Sequence, residues 1–179
     1  MIRCCSICLL VGVLVLTTGL VFAAEAELTN LVIRNSREDL LISLKIKGVF
    51  TREMQDALTK GISVSFTFLI VLNEVHDFWF DEKISGRKTV HQIQYDVVKK
   101  EYRISRAWDP SAPKFITNFE NARRLMSEID GLEIAPLDRL KKGGHYQMRV
   151  KSELHEKKYR FFSFPWEFET DWYTLNFIY

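Results

Sequence analysis

The sequence predicts a β-rich α+β domain of mostly antiparallel sheets, with a sandwich as one arrangement open to it, and two short helices. Three observations carry the prediction. Apolar residues recur at every second position in run after run, the mark of strands with one buried face. Two stretches instead repeat at helical spacing between a capping residue and a glycine. Finally, Leu140, Gly143 and Tyr146 stand just ahead of another alternating run, a spacing that matches a tyrosine corner at the start of a Greek-key strand. An ordinary Gly-Gly turn feeding an amphipathic strand is the other reading of that spacing.

Taken in order, Leu31 and Ile33 alternate with Val32 and Arg34, and Ile42, Leu44 and Ile46 with Ser43, Lys45 and Lys47. Two strands with one wet face, joined across the polar stretch 35–39, make a hairpin. Thr51 is a candidate N-cap, Phe50, Met54, Ala57 and Leu58 share one helical stripe, and Gly61 closes it, so a short amphipathic helix follows. Val64, Phe66, Phe68, Ile70 and Leu72 alternate with Ser63, Ser65 and Thr67. Leu69 and Val71 then fill the second face, so this strand becomes buried along its length. Phe78-Trp79-Phe80-Asp81-Glu82 reads as an extension of that strand or of a neighbour, with Gly86 as a turn.

Ile93, Tyr95 and Val97 form another strand, Lys99-Lys100 a tight turn, and Tyr102 and Ile104 the returning strand. The run 108–113, with two prolines, is the clearest loop. A second helix is expected from a capping box at Thr117 and Glu120, through the stripe Ala122, Leu125, Met126 and Ile129, to a stop at Gly131. Tyr146, Met148 and Val150 should then face inward. In the tail, Phe164, Trp166 and Phe168 share one face and Glu167, Glu169 and Asp171 the other, but Tyr173, Leu175, Phe177 and Tyr179 carry the opposite phase. A bulge or turn near Thr170-Asp171 is implied, because a one-residue slip exchanges the faces. The expectation is that Trp166, Phe168 and Trp172 belong to the core. In all, roughly seven to nine strands are expected.

Composition bounds the function. The chain has 179 residues, 25 basic against 23 acidic, which argues against a nucleic-acid partner needing a strong basic excess. Residues 4–24 carry no charge, and Val21-Phe22-Ala23 has the small-residue pattern of a peptidase site, so residues 1–23 read as an export signal and 24–179 as one exported domain. An uncleaved anchor in the inner membrane is the alternative, and it would then be the chain's membrane contact. A periplasmic address is expected either way. All three Cys precede residue 9, so the remainder offers no disulfide, thiol nucleophile or thiolate metal site.

No catalytic motif occurs. The four histidines are scattered without a zinc spacing and read as exposed or turn residues, so no metal and no cofactor are expected. Glu167, Glu169 and Asp171 on one face are candidate paired acids for a carbohydrate-active or other hydrolase, with Trp166 and Trp172 as a candidate sugar-binding platform. A solvated strand face explains the same acids without chemistry. The alternating aromatic tail also suits the closing strand of an outer-membrane barrel, although two capped helices and the charged run 151–160 fit such a barrel poorly.

The tail Trp166-Glu167-Phe168-Glu169-Thr170-Asp171-Trp172-Tyr173 resembles the C-terminal hallmark of the proteobacterial domain-of-unknown-function 4390 family. Agreeing features are Leu31-Val32-Ile33, the helix ending at Gly61 before a long apolar strand, Phe78-Trp79-Phe80-Asp81-Glu82-Lys83, Tyr102-Arg103 and the helix before Leu140. The resemblance spans essentially the whole exported part; the triple-Cys signal departs from it and touches export alone. It implies a small exported protein, often encoded beside a nitrogen-responsive two-component sensor kinase, and it transfers no catalytic residue. The expected function is therefore a non-catalytic envelope binding or interaction module, accessory to signalling, whose partner is an envelope protein or ligand.

Overall fold

A computed structural model describes residues 26–154 and 168–179. The expected signal 1–23 lies outside the described residues, as do Trp166 and Glu167. Among the described residues ten strands and two helices follow in the order β1 (Glu27–Asn35), β2 (Asp39–Lys47), α1 (Arg52–Thr59), β3 (Val64–Glu74), β4 (Glu82–Asp96), β5 (Glu101–Arg106), β6 (Lys114–Ile116), α2 (Phe119–Ser127), β7 (Glu128–Pro136), β8 (His145–Leu154), β9 (Phe168–Glu169) and β10 (Tyr173–Ile178). A single 3₁₀ turn, Leu137–Arg139, joins β7 to the approach to β8. The β-rich α+β class with antiparallel sheets and two helices is therefore the observed one. The count exceeds the expected seven to nine because β6, β7 and the split of the tail into β9 and β10 add strands.

The strands form two sheets. One has the order β1-β2-β7, and the other runs β10-β8-β3-β4-β5-β6 with β9 added on β8; every pairing is antiparallel. Among the described residues β10 and β6 stand at the two ends of the large sheet. Alternation places Leu40, Ile42, Leu44 and Ile46 of β2 and Phe66, Phe68, Ile70 and Leu72 of β3 inside, where they join one hydrophobic cluster. Phe50, just ahead of α1, links β3 to α2, its ring centroid 5.3 Å from Phe66 and 5.9 Å from Phe119, edge-on in each case. Among the described residues no helix is long and apolar enough to cross a membrane.

The first helix follows the sequence closely. The Thr51 side chain accepts from the Met54 backbone N–H at 3.2 Å, Met54, Ala57 and Leu58 are buried, and Gly61 takes a positive φ of 81° just past the end. The second helix is shorter than expected. Its cap is Asn118 rather than Thr117, accepting from the Asn121 N–H at 3.0 Å, and it stops at Ser127. Ile129 belongs to β7, which pairs with β2. Gly131, expected as the helix stop, has φ 78° inside that strand, at a register shift between the pairs Ser43↔Asp130 and Ile42↔Leu132. A helix terminus and a strand bulge make the same demand for positive φ.

Three further expectations change. Phe78-Trp79-Phe80 is neither strand nor core, because β3 ends at Glu74 and β4 begins at Glu82. Gly86 lies within β4, paired with Val71, and marks no turn; a Cβ there would stand 2.8 Å from Lys83 Cε and Nζ. Val97 falls in the turn before β5 rather than in a strand.

Candidate functional site

The tyrosine corner fixes the start of β8. Tyr146, Met148 and Val150 are buried as expected, and the Tyr146 hydroxyl accepts from the Lys141 backbone N–H at 2.8 Å. Beneath the ring lies Gly144, where an added Cβ would come within 2.9 Å of both Lys141 O and Tyr146 Cε2. Tyr179 closes the same corner, its N–H donating to Gly144 O at 3.1 Å while Gly143 N–H donates to Tyr179 O at 2.6 Å.

From this corner β8 runs alongside the tail, and the predicted phase flip is present. The register passes from Glu153↔Glu169 to Tyr173↔Val150, which leaves one extra residue on the tail side, a bulge. Thr170 anchors it. Its N–H donates to Ser152 O at 2.9 Å and its Oγ1 accepts from Ser152 N–H at 3.0 Å, with both residues buried. Thr170→Val keeps the shape but orphans the Ser152 N–H, and we expect a loss of about 1–2 kcal/mol in urea unfolding.

The bulge decides where the candidate tail residues stand. Phe168 packs on the core, its ring 5.5 Å from Phe66, but Trp172 is 38% exposed and is not a core residue. Trp172 shares the even parity of Phe168, and the extra residue at Thr170 turns that parity outward. The Arg149 guanidinium lies 4.7 Å above the Trp172 ring and the Lys151 ammonium 5.7 Å from it. Glu169 forms an ion pair with Lys151, and Asp171 is exposed. Arg149 and Lys151 of β8 thus meet Trp172 and Glu169 of the tail in one cluster of cations, ring and carboxylate. Trp166 and Glu167 lie outside the described residues, so the structure does not complete the three-acid set.

Another locus is set by the β3–β4 hairpin. Glu74 and Glu82 are its closing pair, and residues 75–81 cross between them. Phe78, Trp79 and Phe80 stand at the tip, exposed to 90%, 74% and 96%. At the neck, donor atoms of Glu74, His76 and Glu82 all lie within 4.8 Å of one another. The Glu74 carboxylate is buried and receives both hydrogen bonds of the Lys141 ammonium, at 2.9 and 3.0 Å. That contact raises the Lys141 pKa, by hydrogen bonding first and charge second, with Glu82 adding to it. Lys141 thus ties the neck to the tyrosine corner.

A family profile described as a domain of unknown function, DUF4390, matches residues 23–176. The chain belongs to the DUF4390 family. Neither a curated protein nor a solved structure gives a match. In this DUF4390 domain the hairpin loop was hidden from sequence reasoning because three apolar rings in a row read as buried strand. By strand parity Phe78 and Phe80 would share one face and Asp77, Trp79 and Asp81 the other, so alternation alone favours a strand here, and only the end of the ladder at Glu74 and Glu82 marks the segment as a loop.

His91 was also misplaced by the sequence, which reads the histidines as exposed. It is fully buried on β4, its Nδ1 3.0 Å from Met126 O, while its Nε2 accepts from Trp108 Nε1–H at 2.8 Å. Trp108 Nε1 can only donate, so Nε2 is bare and Nδ1 carries the proton. Arg106 lies over the Trp108 ring and pairs with Asp109, whose carboxyl is held far below the usual range, chiefly by the Ser111 hydroxyl. This group staples the 107–113 loop and the end of α2 to the large sheet.

Proposed function

We propose that this DUF4390 domain is a non-catalytic binding module of the cell envelope whose contact element is the Phe78-Trp79-Phe80 loop. The family resemblance, with members often encoded beside a two-component sensor kinase, favours an accessory role in signalling, and the favoured partner is an envelope protein. The exposed aromatic tip carries the reading. Each such ring offers on the order of 150–250 Å², so three together approach the roughly 800 Å² that one partner contributes to an ordinary interface. Trp is enriched among the few residues that dominate binding energy, and Asp77 and Asp81 supply a polar rim beside the rings.

The test is a photo-crosslinking amino acid at position 77 in cells making either the native chain or a chain carrying Phe78→Ser, Trp79→Ser and Phe80→Ser. The native chain should capture a defined envelope protein, and the triple variant should lose that capture by about tenfold or more, with an unchanged unfolding midpoint. Equal capture by the two chains removes the reading.

A further inference from the structure

We propose that the neck of the β3–β4 hairpin is a divalent transition-metal site, with zinc the best-fitting ion, ligated by Glu74, His76 and Glu82. The inference stands apart from the docking role of the loop tip and rests on the neck alone.

Hairpin closure brings the three side chains together. Glu74 and Glu82 are register partners across β3 and β4, and His76 sits two residues past Glu74, where the strand gives way to the loop. Imidazole with two carboxylates is a donor set of borderline hardness, suited to zinc and its neighbours and poorly suited to calcium, which takes six or more oxygens. Three protein ligands would leave at least one position open for water or for a group from a partner. Around a tetrahedral ion, ligand atoms held about 2.0–2.2 Å away stand roughly 3.3–3.6 Å apart. The three donor atoms at this neck lie within 4.8 Å of one another, so side-chain rotation must draw them together by up to roughly 1.5 Å.

The charge arrangement points the same way. Residues 74–82 hold four carboxylates and no Lys or Arg, and a cation that does reach the neck is Lys141, whose side chain is 69% exposed while that of Glu74 is only 8% exposed. A buried carboxylate is costly unless its charge is matched. One ammonium matches the buried Glu74, while Glu82 is open to water; a divalent ion would engage both carboxylates and the imidazole at once. In this arrangement Lys141 is the resident counterion that a metal displaces. An ion so placed joins β3 to β4 directly below the aromatic tip.

Calorimetric titration of the purified chain, free of any histidine tag, with zinc chloride tests this, Trp79 emission giving a second readout close to the site. We expect one equivalent to bind, and His76→Ala at a half-buried position and Glu82→Gln at an exposed one to weaken binding about tenfold or more each at unchanged unfolding midpoint. Lys141→Met, which removes the competing ammonium, should bind zinc at least as tightly as the native chain. Magnesium and calcium should not compete at equal concentration. The proposal is overturned by the absence of saturable binding up to about 1 mM zinc, or by native affinity in both His76→Ala and Glu82→Gln.

Discussion

Replacing Tyr146 with alanine should destabilise the domain by about 3–5 kcal/mol, measured as a fall in the urea midpoint at constant slope. The ring is fully buried and stacks on Phe177 with centroids 5.6 Å apart, so truncation opens a cavity between β8 and β10. It also removes the acceptor for the Lys141 N–H. Tyr146→Phe isolates that bond and should cost about 1–2 kcal/mol, because a part-buried donor is left without a partner. Gly144→Ala provides the matching control. Its added methyl would meet the Tyr146 ring and the Lys141 carbonyl, so it should be damaging in the native chain and much milder beside Tyr146→Ala, where the ring is gone and only the backbone contact remains. Additive costs for the pair would show that the ring does not rest on Gly144, and a near-neutral Tyr146→Ala would refute the corner as a stability element.

Acidification should unfold the domain through His91 before the paired carboxylates titrate. Burial first, and the nearby Arg106 charge in a lesser degree, push the imidazole down to about 4, against the opposing pull of the Met126 carbonyl and Asp109. The unfolded chain therefore binds a proton near pH 6.5 that the folded chain refuses until about pH 4. Stability contributed by the neutral ring is complete above pH 6.5 and drains away as the pH falls toward 4. A displacement of that size corresponds to on the order of 3 kcal/mol. His91→Gln, although less stable at neutral pH, should lose far less between pH 6.5 and 4.5. Parallel losses in the native chain and in His91→Gln would place the acid sensitivity elsewhere. Asp109 and Asp130, both held below the ordinary carboxylate range, contribute at still lower pH.

The parts of the fold that were legible in the sequence are those where a single constraint acts. Strands β2, β3 and β8 each bury one face, so alternation alone assigns Ile42, Phe68 and Met148 to the interior. Thr51 and Gly61 bracket α1 because the orphan groups at its two ends need those residue types. Errors arise where one residue satisfies two patterns. Ile129 completes the helical stripe of Ala122 and Met126 and equally faces inward on β7, and only pairing with β2, remote in sequence, decides between them. The hairpin tip fails for another reason. Hydrophobicity measures what a ring gains by leaving water, and it is silent on whether a fold or a partner removes it.

The candidate tail was legible as a phase change and illegible in its consequence. Thr170 could be placed at the slip, but whether the slip turns Trp172 inward or outward depends on whether the tail or β8 carries the extra residue. His76 shows the complementary limit. It has no histidine or cysteine nearby in sequence, and its carboxylate neighbours acquire meaning only when the hairpin folds Glu82 back onto Glu74.

The strand order also constrains how the chain reaches this state. Strands β3 to β6 pair as successive neighbours along the large sheet, a meander whose contacts form between segments close in sequence. The small sheet is different, since β2 is flanked by β1 and by β7, and Asp39 meets Pro136 across the whole meander. Closing so long a loop carries an entropic penalty that local hairpins avoid. The meander should therefore assemble early, and the docking of β7 on β2 becomes the late step that encloses the core. Until then the inner face of β2 stays open to water, so the interval between hairpin formation and sheet closure is when the nascent domain is most exposed to aggregation.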